Sequence, residues 1–328
     1  MVKKVALRTD DICFAKLPDY PFKPHYLFVN HPDYEPLRLH FLDERSLDEK
    51  IPYEKSLDEG VTENYTVLLL HGCPTWSYLY RKVISGLLDS ASNSRTRIIA
   101  PDFIGCGKSD KLLARSDYSY DFYVDTLKQF IEQLDLTRIV LVCQDWGGPI
   151  GLRVVSEMPQ HFAKIIASNT LLPNCEVFPR GVNDWPGKII SNWVRYTQQA
   201  HDIPIGNIVQ GSCISKLAVD VLAAYDTPFP DARYKQGMLQ WPSLIPLDED
   251  AVGIKENRKA WEFLERSNIP FLTAFSDSDA STIDWEIIFQ QRVRGAKNQQ
   301  HIKISQAGHM VQEDKGNVLA TVIQSLLG

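Results

Sequence analysis

Six short apolar segments recur along this chain, and they restrict its fold more than any other feature. They are rich in aliphatic residues and lie at 65–70, 97–100, 138–143, 164–168, 270–275 and 301–304. Continuous apolar runs of this length are typical of strands that are buried on both faces, as in a parallel sheet. Two further short runs, at 26–30 and 37–42, also resemble strands and precede the first of the six.

Helical patterns lie between several of these predicted strands, at 77–88, 120–134 and 147–158. The alternation of strand and helix predicts an α/β fold with a mostly parallel, doubly wound sheet. Ligand sites in such sheets lie beyond the carboxyl ends of the strands. Five loops should therefore meet at one edge of the sheet, namely 71–76, 102–109, 144–148, 276–281 and 306–311.

Residues 173–250 interrupt this alternation. They are rich in proline, tryptophan and short helical patterns, and they lie between the fourth and fifth of the six segments. We predict that they form an inserted helical cap over the carboxyl edge, and that 1–172 and 251–328 form the core. A cap would exclude water and thereby strengthen electrostatic interactions beneath it.

Charge and cysteine content limit the partners that we expect. The net charge of −6 at pH 7 argues against a nucleic acid or an anionic membrane as partner. Much of this charge lies in 43–64, which we interpret as a solvated acidic loop. The six cysteines are scattered without a Cys-x-x-Cys pair, which favours free thiols in a reducing compartment. We find no signal peptide pattern and no apolar stretch of about eighteen residues, so we expect a cytoplasmic monomer.

A nucleophile is predicted at Asp145, in the sequence Val-Leu-Val-Cys-Gln-Asp-Trp-Gly-Gly at 140–148. A strand that runs into a sharp turn and then a helix is the nucleophile elbow, whose usual signature is Gly-x-Ser-x-Gly. Here Asp145 replaces the serine and Cys143 the first glycine. A carboxylate nucleophile attacks an electrophilic carbon and forms an ester. The alternative interpretation is that Asp145 only caps the following helix.

A base and an acid complete the predicted site. His309 follows the last strand and precedes the last helix, and of the other seven histidines only His71 falls at the same edge. An acid that orients the imidazole should follow the strand ending at 275, where Asp277 and Asp279 both qualify. The order nucleophile, acid, histidine is that of the α/β-hydrolase fold. The backbone N–H groups of Cys73 and Trp146 are the candidates for an oxyanion hole.

With these residues assembled, the chain resembles the haloalkane dehalogenases of the α/β-hydrolase superfamily over nearly its whole length. The segments that carry the resemblance are 71–81, 100–102, 105–110, 144–148 and 308–313. In this family the acid often stands in a Gly-x-x-Asp-Pro loop. Matching that loop to 276–280 implies Asp279 as the acid, although the glycine and the proline are both replaced here.

The resemblance also implies two donors that stabilise a halide. One is the residue after the nucleophile, Trp146, and the other is a tryptophan of the cap. Trp193 is the match, with Trp185 and Trp241 as competitors. An indole N–H suits a halide because it donates a hydrogen bond without carrying a charge.

The implied reaction converts a haloalkane and water into a primary alcohol, halide and a proton. Asp145 would displace the halide to form an alkyl ester while Trp146 and Trp193 hold the leaving anion. His309, oriented by Asp279, would then activate the water that hydrolyses the ester. This chemistry requires no metal and no organic cofactor, and its partners are the haloalkane and the halide.

Two other functions remain open on the sequence. An epoxide hydrolase shares the aspartate nucleophile and the His/Asp pair, and it uses tyrosines of the cap, for which Tyr196, Tyr225 and Tyr234 are candidates. Gln144 favours the dehalogenase, because epoxide hydrolases commonly have histidine before the nucleophile. The second alternative, from another class, is a noncatalytic ligand receptor on the same fold.

Overall fold

A single sheet organises the protein. The computed structural model describes residues 2–45, 65–89, 96–176 and 185–327. Within these residues eight strands lie side by side in the order β1-β2-β4-β3-β5-β6-β7-β8. The strands are β1 (His25–Val29), β2 (Leu37–Arg45), β3 (Thr66–Leu70), β4 (Arg97–Pro101), β5 (Ile139–Asp145), β6 (Phe162–Thr170), β7 (Phe271–Ser276) and β8 (Ile302–Ile304).

The sheet is antiparallel at one edge and parallel across the rest. β2 pairs antiparallel with both β1 and β4, whereas all neighbours from β4 to β8 are parallel. Every residue of β3 and β7 is buried, as is β5 up to its last residue. Burial on both faces explains why these strands are continuously apolar in the sequence. The predicted mostly parallel sheet is confirmed.

Ten α-helices accompany these strands in the described part of the chain. They are α1 (Arg81–Asp89), α2 (Tyr120–Gln133), α3 (Gly147–Glu157), α4 (Trp185–Gln199), α5 (Ile205–Gly211), α6 (Val219–Asp226), α7 (Gln236–Gln240), α8 (Ile254–Leu264), α9 (Trp285–Arg292) and α10 (Val311–Leu327). α1 packs against α10, while α3 packs against α2 and α8, so two groups of helices enclose the sheet. None of the helices within the described ranges is both long and apolar enough to cross a bilayer.

The prediction that a solvated acidic loop begins at residue 43 is wrong. β2 continues to Arg45, so the first three residues of 43–64 belong to the sheet. Asp43 is held there by an ion pair with Arg97 of β4, with 2.7 Å between Oδ2 and Nη2. The pairing partner lies across the sheet, which the local acidic pattern could not indicate. Residues 46–64 of the predicted loop lie outside the described residues.

Helices α4 to α7 lie between β6 and β7 and contact the core through specific polar bonds. Arg115, before α2, donates to the carbonyls of Thr197 and Ala200 at the end of α4, at 3.2 and 2.6 Å. The hydroxyl of Tyr225 in α6 donates to Glu313 of α10 at 2.5 Å. The division into a core of 1–172 and 251–328 and a cap of 173–250 stays a prediction.

The close approach of α3 to β6 gives a testable consequence at Gly148. A Cβ added there would overlap the hydroxyl of Thr170, which itself donates to the carbonyl of Asp145 at 2.6 Å. We expect Gly148→Ala to destabilise the protein by about 1–3 kcal/mol, as overpacking commonly does. Thermal unfolding measures the change. Gly211→Ala is the control, because a Cβ added at Gly211 meets nothing within 4 Å. Equal melting temperatures for the two variants would contradict this expectation.

Candidate active site

A strained turn presents Asp145 at the end of β5. Its φ of 48° lies in the left-handed region, which is uncommon for residues other than glycine. Two glycines make room for the turn: a Cβ at Gly72 would overlap the Asp145 carboxylate, and one at Gly147 would overlap the carbonyl of Leu70. The local geometry is that of a nucleophile elbow, as the sequence predicts.

The two oxygens of the Asp145 carboxylate have different partners. The backbone N–H of Cys73 donates to Oδ1 at 2.8 Å. His309 Nε2 lies 3.4 Å from Oδ2. Asp145 does not cap α3, because the N-cap position belongs to Trp146, which makes no side-chain capping bond. The geometry therefore argues against the helix-cap interpretation of Asp145.

Asp279 lies directly behind His309. Its Oδ2 is 2.9 Å from His309 Nδ1. The same carboxylate accepts hydrogen bonds from the N–H and hydroxyl of Ser281, at 2.9 and 2.6 Å, and from the hydroxyl of Thr282 at 2.5 Å. Burial disfavours the charged form, but His309 and these donors outweigh it and hold the pKa of Asp279 well below its usual range. Asp279 is thus a fixed anion at the imidazole.

The competing carboxylate, Asp277, faces away from the imidazole. It accepts hydrogen bonds from the backbone N–H groups of Gln306 and Ala307, at 3.0 and 3.4 Å. These bonds lower its pKa, as does the hydroxyl of Ser278. Of the two candidates from the sequence, the structure brings only Asp279 to His309.

Two anions determine the ionisation of His309. Burial alone would lower the pKa of the imidazole. The carboxylates of Asp279 and Asp145 more than offset this and raise the pKa of His309 to about 10. The protonated ring is therefore favoured at neutral pH for as long as Asp145 carries its charge.

His71, the other histidine expected at this edge, has a structural role. Its ring is fully buried, and burial lowers its pKa. Nε2 accepts from the backbone N–H of Phe103 at 3.1 Å, which requires the proton on Nδ1, and Nδ1 lies 2.9 Å from the carbonyl of Gly72. A neutral ring with both nitrogens occupied by backbone is not available as a base.

A cavity of about 390 Å³ lies above the Asp145 carboxylate. Four of the five loops predicted to share this edge line it, while 102–109 supplies none of the described lining residues. The sequence-predicted site residues that line the cavity are Cys73, Asp145, Trp146, Trp193, Asp279 and His309. The remaining wall is mostly aliphatic, with residues such as Ile189, Ile208 and Ile245. An apolar cavity with the Asp145 carboxylate at its base suits a small apolar electrophile.

Comparison of the sequence with known proteins identifies the family of this chain. A model of the α/β hydrolase fold family matches residues 65–202. The chain is 41% identical to a haloalkane dehalogenase of Psychrobacter cryohalolentis, over 97% of this chain and 96% of that protein. The chain belongs to the haloalkane dehalogenase family.

Further members of the haloalkane dehalogenase family agree over the full length. One from Mycolicibacterium paratuberculosis is 37% identical over 97% of both chains. The tetrameric structure of a haloalkane dehalogenase from Paraglaciecola agarilytica superposes with a TM-score of 0.81 at 34% identity and covers 97% of each chain. The predicted family and the α/β-hydrolase fold are confirmed.

The three tryptophans that the sequence offers as the halide donor of the cap differ in their position relative to the cavity. Trp193, in α4, is half-buried and lines the cavity together with Trp146. Trp241 is fully buried, stacks on Tyr123 with 4.5 Å between ring centroids, and is absent from the described lining. The side chain of Trp185 lies outside the described residues.

The tyrosines that an epoxide hydrolase would need are placed elsewhere. Tyr225 is fully buried and its hydroxyl is engaged by Glu313. Tyr196 is exposed and stacks on Trp193. Among the described residues that line the cavity there is no tyrosine. The cavity therefore lacks, within that lining, a phenol to protonate the alkoxide that epoxide opening creates.

Three polar residues of the site were not predicted from the sequence. Ser281 and Thr282 hold the Asp279 carboxylate, and Gln144 reaches the ring of His309. Hydroxyl residues two and three positions after an aspartate favour a local turn that bonds to its carboxylate, so Ser281 and Thr282 carried a usable signal. The contact of Gln144 with His309 depends on tertiary packing, and no local sequence signal indicated it.

Proposed function

We propose that this protein hydrolyses haloalkanes to a primary alcohol and halide through an alkyl ester on Asp145. One observation carries the proposal: within an apolar cavity, the Asp145 carboxylate has one oxygen on the N–H of Cys73 and the other facing His309. Membership of the haloalkane dehalogenase family supports it. In this proposal Asp145 is the nucleophile, His309 the base and Asp279 the orienting acid.

In the first step Asp145 Oδ2 attacks the sp³ carbon that bears the halogen. The new C–O bond forms as the carbon–halogen bond breaks, and the halogen leaves with the bonding electron pair as halide. A halide needs no proton to leave. The indole N–H groups of Trp146 and Trp193, which both line the cavity, would hold it as uncharged donors.

The second step depends on a change in the charge of Asp145. An ester is neutral, so alkylation removes one of the two anions that raise the pKa of His309. The imidazole then gives its proton to solvent and can accept one from water at Nε2. Asp279 keeps the remaining ring proton on Nδ1.

Hydrolysis of the ester completes the cycle. The activated water attacks the ester carbonyl of Asp145, and negative charge develops on Oδ1. The N–H of Cys73 already donates to this oxygen, and the N–H of Trp146 is the proposed second donor. Collapse of the intermediate breaks the bond between the carbonyl carbon and the alkyl oxygen, and the His309 imidazolium gives its proton to that oxygen, which releases the alcohol. The new Asp145 carboxyl then loses its proton, which restores the carboxylate.

The test of function compares two substrates with the wild-type protein. We expect 1,2-dibromoethane to give bromide and bromoethanol, and styrene oxide to give no diol. Diol formation without bromide release would replace the dehalogenase by an epoxide hydrolase. Reversible binding of both compounds without any product would favour a noncatalytic receptor.

The halide role of Trp193 can be tested by substitution with phenylalanine. Losing a hydrogen bond to a charged group costs about 1.5–3 kcal/mol. We therefore expect Trp193→Phe to weaken bromide binding by about 10- to 100-fold and to slow the first step, because 1.4 kcal/mol corresponds to a factor of ten. Quenching of the remaining tryptophan fluorescence and the rate of the bromide burst measure the two effects.

The matched control is Trp241→Phe, which removes an indole that does not line the described cavity. It should lower the melting temperature through lost packing and leave bromide affinity unchanged. Equal bromide affinity in Trp193→Phe and wild type would remove Trp193 from the halide site.

We also propose that the protein is monomeric and cytoplasmic. The sequence predicts a monomer, whereas the solved relative from Paraglaciecola agarilytica is described as tetrameric. Sedimentation of the purified protein distinguishes the two states. All six cysteines are free thiols, which supports a reducing, cytoplasmic location.

A further inference from the structure

We propose that Gln144 is a positioning residue that keeps His309 in the neutral form required for ester hydrolysis. The inference rests on the proposed two-step function. Gln144 precedes the nucleophile on β5, and its side chain is fully buried. Its amide Nε2 lies 3.1 Å from His309 Nε2 and 3.2 Å from the carbonyl oxygen of His309.

The carbonyl contact determines which end of the amide faces the imidazole. Reversing the amide would place Gln144 Oε1 against the carbonyl oxygen of His309, where two acceptors would repel each other. The NH₂ group therefore donates one hydrogen to the carbonyl and directs the other at the ring. A ring nitrogen that accepts a hydrogen bond must carry a lone pair. This contact consequently favours neutral His309 with its proton on Nδ1, facing Asp279 at 2.9 Å.

The other end of the Gln144 amide supports a role beyond packing. Oε1 is buried and has no hydrogen-bond partner among the described residues. A buried acceptor without a partner is unfavourable, and an apolar side chain of the same shape would avoid that cost. Because packing alone would favour methionine or leucine here, the contact of the amide with His309 accounts for its polarity.

Two carboxylates oppose the effect of Gln144, because each of them favours the protonated form of His309. Asp145 faces Nε2 and Asp279 faces Nδ1, and both favour the imidazolium. Alkylation neutralises Asp145, which leaves Asp279 opposed by the amide of Gln144. Other titratable groups near this loop are thiols that burial keeps neutral or carboxylates bonded elsewhere, namely Cys73, Cys213, Glu313 and Asp314. Nε2 has a single lone pair, so the Gln144 amide hydrogen disfavours the imidazolium until water replaces it there and gives Nε2 its proton.

The experiment follows the alkyl-enzyme by intact-protein mass spectrometry after excess enzyme is mixed with 1,2-dibromoethane at a series of pH values. We expect Gln144→Met, which keeps the shape but not the donor, to raise the pH midpoint of adduct decay by about one unit. Adduct decay should then be about tenfold slower on the acidic side, in line with a one-unit change in pKa. The rate of adduct formation should change by less than about threefold, which is well below the tenfold effect of a one-unit change in pKa. Gln144→Glu, which places an acceptor at the ring, should shift the midpoint further.

Asn169 provides the matched control. Its Nδ2 donates to the same carbonyl of His309 at 3.0 Å but makes no hydrogen bond to the ring within the described structure. Asn169→Ser should therefore lower stability without moving the pH midpoint. If Gln144→Met does not fold, the pH midpoint of adduct decay is measured with the nearly isosteric Gln144→Glu instead.

The outcomes separate this inference from the proposed function. An unmoved midpoint in folded Gln144 variants that still form the adduct would overturn the inference, and so would equal slowing of both steps at every pH. Absence of any adduct in wild type and variants, with no bromide released, would instead overturn the proposed function.

Discussion

Replacing His309 by phenylalanine is expected to stop the reaction after its first step. In the proposed mechanism, alkylation requires only Asp145 and the halide donors, whereas hydrolysis requires a base within reach of water. We expect one equivalent of bromide from 1,2-dibromoethane and a stable alkyl group on Asp145. Steady-state turnover should fall by about 10²- to 10⁴-fold, the usual contribution of general base catalysis. Bromide titration and intact-protein mass spectrometry measure both quantities.

The control for this variant is His201→Phe, since His201 is exposed and does not line the described cavity. It should retain turnover and show no lasting adduct. Sustained bromide release by His309→Phe would exclude His309 as the base. A complete lack of adduct in the folded variant would contradict the proposed ester on Asp145.

Replacing Arg81 by methionine is expected to cause the largest loss of stability. Arg81 and Glu313 form a buried bidentate ion pair, with Nη2 and Oε2 at 2.9 Å and both side chains almost inaccessible. Removing one partner of a buried pair commonly costs about 3–5 kcal/mol, because the other charge is left buried. Lys82 and Tyr225 remain bonded to Glu313, so we expect the lower end of this range. Chemical denaturation at pH 7 measures the change.

The matched control is Arg292→Met, which removes a partner of Glu265. Both side chains of that pair are about one-third exposed. An exposed ion pair contributes only about 0–1 kcal/mol, so this variant should be close to wild type. Equal losses for Arg81→Met and Arg292→Met would show that burial of the Arg81 pair has no special effect.

The pH dependence of the Arg81 effect has a defined sign. Burial alone would raise the pKa of Glu313, but Arg81 and Tyr225 lower it below the usual value. A carboxylate with a lowered pKa in the folded state stabilises the protein above its unfolded pKa, about 4.3, and loses that contribution as the pH falls. The difference in unfolding free energy between wild type and Arg81→Met should therefore shrink as the pH falls below about 4.

Local sequence patterns determined the sheet and the elbow. Strands buried on both faces need continuous apolar runs, so β3, β5 and β7 were visible as such in the sequence. The turn at Asp145 could also be anticipated, because a glycine stands two residues after Asp145 and a helical pattern begins there. The order of Asp145, Asp279 and His309 along the chain then predicted which loops would meet.

Tertiary structure distinguishes the two aspartates that local patterns left equal and that the family resemblance resolved in favour of Asp279. Asp277 and Asp279 stand two positions apart in one loop. The backbone N–H of Asp277 donates to the carbonyl of Ile304, the last residue of β8, and its side chain accepts hydrogen bonds from the backbone of 306–307. That arrangement leaves Asp279 to face His309. The choice rests on a pairing between segments about thirty residues apart, a non-local contact that single-sequence patterns do not encode.

The same reason separates the remaining residues of the site. Whether Trp193 or Trp241 faces the cavity depends on how α4 packs over the sheet, and the reach of Gln144 depends on where the His309 loop lies. The sequence by itself thus determined the fold class and the turn at Asp145, because these follow from periodicity and backbone preference, and it supplied a carboxylate at that turn. The contact of Gln144 and the choice of Trp193 over Trp241 were decided only by tertiary packing, because side-chain direction follows from contacts between distant segments.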